Sequence, residues 1–211
     1  MEKVWKKWLA CVLLSLMAMP ALAQNILLVG DSISAAYGLE LEQGWATLLE
    51  QRLAEQKSSY QLINASVSGD TTAGGLARLP ALLEQFEPAL VLIELGGNDG
   101  LRALPVKNMQ QNLSAMVELA QQAGAEVILL GIRIPPNYGP RYTDAFERVF
   151  VDVAAEHKVP LVPFLLEGVG GVAGMIQNDG VHPTAAAQSI LLDNAWPKIM
   201  QWLASVHSDA Q

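Results

Sequence analysis

The chain alternates short, uniformly apolar runs with longer segments whose apolar positions recur every three or four residues. The first run, Asn25-Ile26-Leu27-Leu28-Val29, stops at Gly30-Asp31-Ser32. Residues 60–65 form a second run that closes on Ser66-Val67-Ser68-Gly69-Asp70. Residues 90–95 form a third, closing on Gly96-Gly97-Asn98-Asp99. Residues 126–132 and the short Leu161-Val162-Pro163 complete the predicted strands. Between the runs the spacing predicts helices. Trp45, Leu48, Leu49 and Leu53 share one face over residues 45–55, as an amphipathic helix requires. Residues 105–123, 141–158 and 184–205 read the same way, and Pro105 suits a helix start. Residues 76–86 can be helical, with Pro80 expected to start or break a segment.

Strands that are apolar throughout must be covered on both faces. Alternation with helices therefore implies a parallel sheet joined by right-handed crossovers. The expected fold is α/β: a flavodoxin-like three-layer sandwich with a five-stranded parallel sheet in the order 2-1-3-4-5. No repeat and no linker-like stretch interrupts the pattern, so residues 24–211 are expected to form one domain.

The first 23 residues stand apart. Lys3, Lys6 and Lys7 precede an uncharged, mostly apolar run over residues 9–19, and Ala21-Leu22-Ala23 ends the segment with small residues at the positions a signal peptidase reads. This is the layout of a secretory signal peptide, and the run is shorter than the roughly 20 residues a bilayer span needs. Cleavage is expected after Ala23, with delivery to the periplasm or the exterior. Cys11 reads as part of the apolar run, so the remaining chain would have no cysteine and no disulfide. Three lysines and one glutamate leave with the leader, which takes the formal charge from −8 to −10. So acidic a chain is a poor partner for nucleic acid or for anionic membranes. At 51% hydrophobic and 16% charged residues it is globular rather than disordered.

The polar, glycine-rich clusters all fall at the carboxyl ends of strands, where open α/β sheets place their ligands. Ser32 follows the first strand, at or near an expected helix start, where free backbone N–H groups can serve a nucleophile or an oxyanion. It lacks the Gly-x-Ser-x-Gly frame, because Ser34 follows Ile33, and no Gly-Lys-Ser/Thr phosphate loop is present. Of the three histidines, His157 lies near a helix end and His207 in the tail. His182 sits in Asp179-Gly180-Val181-His182-Pro183, a turn that brings Asp179 within reach of the imidazole. Asn98, after the third strand, can donate its amide to an oxyanion, and Gly69 can add a backbone N–H. Taken singly, Ser32 reads equally well as a helix cap, and the other two fragments read more readily as a helix-entry turn and an Asn turn. Together they supply a nucleophile, oxyanion donors and a base with its orienting acid.

These residues carry a resemblance. Gly30-Asp31-Ser32, Gly69, Gly97 with Asn98-Asp99, and Asp179-x-x-His182-Pro183 resemble, in order, the four blocks of the SGNH, or GDSL-type, hydrolases. The resemblance implies a serine hydrolase with Ser32, Asp179 and His182 as triad and Ser32, Gly69 and Asn98 as oxyanion hole. It implies a monomer acting on acyl-CoA thioesters, lysophospholipids, aryl esters and some amino-acid esters, with no metal or cofactor. It also implies a mobile loop at Leu76, Leu79 and Pro80 that touches the acyl chain; plain helix core is the competing reading of those residues. Two rival functions use the same strand-end loops: a carbohydrate O-acetylesterase, and a non-enzymatic flavodoxin-like binding module.

Overall fold

The structure is a computed structural model that describes residues 24–208. The expected leader at residues 1–23 lies outside the described residues. Five strands, β1 (Gln24–Gly30), β2 (Tyr60–Asn64), β3 (Leu90–Glu94), β4 (Glu126–Leu130) and β5 (Leu161–Val162), form one sheet in the order β2-β1-β3-β4-β5. All four pairings are parallel. Helices α1 (Trp45–Glu55), α2 (Thr72–Phe86), α3 (Gly97–Leu101), α4 (Val106–Gln122), α5 (Pro140–His157) and α6 (Gln188–Ser208) connect and follow them. α1 packs with α6 on one side, and α2, α4 and α5 pack together on the other. The expected sandwich and strand order are both present.

The central strands explain the rigidity of the sheet edge. Every residue of β3 is buried, and so are Ile26 to Gly30 of β1. Their registers align Gly30 with Glu94 at the carboxyl end. Burying strands of Leu, Val and Ile on both faces contributes roughly 1.5–3 kcal/mol per side chain before chain entropy is counted.

Three local expectations change. Residues 76–80 are not a loop. They lie inside α2, which starts earlier, at Thr72, capped by Thr71 Oγ1 accepting from Gly74 N. Gly75 is there for packing: a Cβ would stand 2.2 Å from Leu95 Cδ1. Leu79 is fully buried in the core, Leu76 packs against it, and Pro80 is exposed. Pro80 removes one backbone donor without ending the helix. Second, the Gly96–Asp99 cluster is not a loop throughout. Gly96, at φ 119°, turns the chain directly into α3. Third, Ser32 does not start a helix. Residues 32–38 form a series of turns, because Ala36 adopts the left-handed conformation at φ 55°.

Candidate active site

Ser32 is the second residue after β1, and its Oγ lies 2.9 Å from His182 Nε2. His182 Nδ1 lies 2.7 Å from Asp179 Oδ2. Short-range bonds build the acid–base pair. Asp179 Oδ1 accepts the backbone N–H groups of Val181, at 2.9 Å, and His182, at 3.0 Å. Gly180, at φ 76°, lets the chain fold back over the carboxylate. A bridge between Ile176 and Pro183 and the bond from Gln177 N to His182 O close the base of this loop. Gln177 Nε2 also donates to the carbonyls of Pro183 and Tyr37, fastening the loop to the turn that carries Ser32. The Tyr37 ring lies against the imidazole at a centroid distance of 4.4 Å.

The hydrogen bond from His182, then those from the two backbone N–H groups, pull the Asp179 pKa down to about 2. With Nδ1 protonated and donating to this carboxylate, Nε2 is left to accept the Ser32 hydroxyl proton.

The side formed by Ser32, Gly69 and Asn98 is assembled differently. The backbone N–H groups of Ser32 and Gly69 have no acceptor among the described residues, and Gly69 takes φ 81°. Asn98, in α3, donates one amide N–H to Asp31 Oδ2 at 3.1 Å, which leaves the other free. Asp31 Oδ1 accepts from Ile33 N at 3.0 Å. Burial raises the Asp31 pKa to about 6, opposed by the bonds from Ile33 and Asn98. Arg78 of α2 grips the loop after β2. It pairs with Asp70 at 2.8 Å and donates to the carbonyls of Ala65 and Gly30.

A cavity of about 640 Å³ opens beside Ser32, Asn98 and His182. Its walls are mostly apolar, with Ile132, Ile134, Pro135, Phe164, Leu166 and Ile176 among them. Arg133 reaches its edge but is paired with Glu147 and Glu167. Of the expected site residues, Ser32, Asn98 and His182 line this cavity and Asp179 stands behind His182. Gly69 does not line it; it lies in the neighbouring loop, which is tied to β1 by the bond from Val67 N to Gly30 O. Leu76, Leu79 and Pro80 are not among its walls. Among the described residues no cluster of three or more His, Cys, Asp or Glu side chains could hold a metal ion.

Sequence reasoning passed over Asp31, Arg78, Tyr37 and Glu94. The signal for Glu94 was present: a carboxylate closing an otherwise apolar strand, Leu-Val-Leu-Ile-Glu, is costly unless its partners are specific.

A hydroxyl, an imidazole and a carboxylate in series, beside free N–H donors on an α/β frame, define an acyl-transferring hydrolase. The chain matches the GDSL-like Lipase/Acylhydrolase family over residues 28–190. It is 60% identical over 189 residues to Esterase TesA of Pseudomonas aeruginosa, covering 90% of this chain and 94% of that protein. It is 43% identical over 173 residues to Thioesterase 1/protease 1/lysophospholipase L1 of Escherichia coli (strain K12), covering 82% of each. The solved structure of psychrotrophic esterase EstA from Pseudoalteromonas sp., inhibited by monoethylphosphonate, matches with a TM-score of 0.82 at 47% identity, covering 86% of this chain and 99% of that one. The chain therefore belongs to the GDSL-like lipase/acylhydrolase family, and it is an ester hydrolase.

Proposed function

We propose that Ser32 is the nucleophile of this hydrolase, acting on acyl esters and thioesters whose acyl chain occupies the apolar cavity. The observation that carries the reading is the 2.9 Å contact between Ser32 Oγ and His182 Nε2. Ser32 Oγ attacks the acyl carbonyl as His182 Nε2 takes its proton. Asp179 holds the imidazole tautomer and stabilises the imidazolium. The N–H groups of Ser32 and Gly69 and the free N–H of Asn98 receive the oxyanion. His182 then protonates the departing alcohol or thiol, and water, deprotonated by the same imidazole, releases the acyl group. The relatives named as esterase, thioesterase and lysophospholipase support this substrate range. The apolar walls favour it over an acetylated sugar, whose hydroxyls would lack partners there.

Hydrolysis of p-nitrophenyl butyrate, p-nitrophenyl palmitate and palmitoyl-CoA by wild type and Ser32→Ala tests the reading. Loss of turnover by about 10⁴-fold or more in the variant is the scale expected of a triad member. Retained turnover would remove Ser32 from the role.

The leader pattern at residues 1–23 supports an exported enzyme that acts outside the cytoplasm, and we propose that it works there as a monomer on small acyl substrates. Among the described residues no helix is long and apolar enough to cross a membrane. The N-terminal mass of the exported protein, expected to begin at Gln24, and its size in solution check these two points.

A further inference from the structure

Glu94 ends β3 directly below the Ser32 turn and is 0% exposed. One of its oxygens, Oε2, accepts from Asp31 N at 3.3 Å and from Ser34 Oγ at 2.7 Å. Trp45 Nε1 donates to Ser34 Oγ at 3.2 Å, which commits the serine proton to Glu94. The carboxyl thus holds residues on both sides of Ser32. Its other oxygen, Oε1, is buried and has no hydrogen-bond partner among the described residues. No ion pair among the described residues includes Glu94. The charged group it faces is a second carboxyl, that of Asp31, while Arg78, which reaches the Gly30 carbonyl on the adjoining strand, is paired with Asp70.

An ionised carboxylate with a bare oxygen, sealed from water beside another acid, is heavily penalised. A neutral acid in the same place loses none of its tethers, because Oε2 still accepts both bonds. We propose that Glu94 is a neutral carboxylic acid that acts as a positioning residue for Ser32, clamping Asp31 N–H and Ser34 Oγ on one oxygen. Burial, and then repulsion from Asp31, moves its pKa in the direction this requires. The clamp sets both the Oγ–imidazole distance and the direction of the Ser32 N–H offered to the oxyanion. The inference rests on Ser32 being the nucleophile.

The test compares Glu94→Gln, Glu94→Leu and Ser34→Ala with wild type. The readouts are kcat, KM and the rate at which a p-nitrophenyl alkylphosphonate labels Ser32, followed by mass. Glu94→Gln keeps a neutral group with an accepting oxygen, so kcat should stay within about fivefold of wild type, the scale of one neutral hydrogen bond. Glu94→Leu removes the clamp, and kcat and labelling should fall together by about 10²-fold at unchanged KM, as for a displaced reacting atom. Should the leucine variant not fold, Ser34→Ala decides the matter: it cuts one tether, and labelling should slow by about fivefold. The infrared difference between wild type and Glu94→Gln should carry a protonated-carboxyl C=O band at neutral pH. Glu94→Gln falling as far as Glu94→Leu, an unchanged labelling rate in Ser34→Ala, or carboxylate bands alone would each overturn the proposal. Wild type left unlabelled at Ser32 would instead overturn the nucleophile assignment, and the proposal with it.

Discussion

The two sides of the site are built on opposite principles. On the Ser32 side, Asp31 is 2% exposed and leans on Glu94 and Asn98, all anchored to the carboxyl ends of the central strands. On the His182 side, the Asp179 side chain is 40% and that of His182 16% exposed, and their geometry comes from bonds within one short turn. The two aspartates show the contrast in their acidity. Burial lifts Asp31 to about 6, while hydrogen bonds from His182 and its own turn draw Asp179 down to about 2. A site can thus take its precision from the core on one side and from local turn chemistry on the other.

That contrast can be broken at several points. The largest effect is expected for Asp179→Asn, which leaves the turn but loses the charge that fixes the imidazole tautomer. A fall in kcat of about 10⁴-fold is expected. Asn98→Ala removes one oxyanion donor and also uncovers Asp31 Oδ2, so kcat for p-nitrophenyl butyrate should fall about 10²–10³-fold. A loss below tenfold would take Asn98 out of the oxyanion hole.

pH separates the two aspartates by sign. Asp31 has a folded pKa above its ordinary 3.8, so the stability it contributes is complete below about pH 4 and is lost as pH rises toward about 6. Asp31→Asn should flatten that slope in urea unfolding measured over this window, by an amount on the order of 2–3 kcal/mol. Asp179 has a folded pKa below 3.8, so its contribution holds above about pH 4 and disappears as pH falls toward about 2. Asp179→Asn should soften acid unfolding in that lower window only. The smallest change is expected for Gly180→Ala. The added Cβ meets nothing within 4 Å, so the cost is the left-handed backbone alone, about 1 kcal/mol, and kcat should drop more than the melting temperature.

How much of this was legible in the sequence follows the same division. The apolar strands and their order were legible, because burial on both faces leaves a pattern that few other arrangements satisfy. Asp179 and His182 were legible because Asp-Gly-x-His-Pro carries its own turn geometry within five residues. Residues 76–80 misled, because proline is a local signal, and here the packing of Leu79 in the core outweighs it. Glu94 was on the page as the last letter of a strand. Its meaning depends on Asp31 and Ser34, about 60 positions away in the chain, and on Trp45, which lies between them and Glu94 in the sequence. No local pattern reports such a contact.

Gln177 is where the two constructions are joined, by one amide that holds both Tyr37 O and Pro183 O. On warming, an exposed turn held by local bonds rather than by burial should open before the sheet does. Heat would then silence the enzyme while its spectroscopic melt still looked native, and stiffening the segment from Gln177 to Pro183 would raise the working temperature more than any improvement to the core.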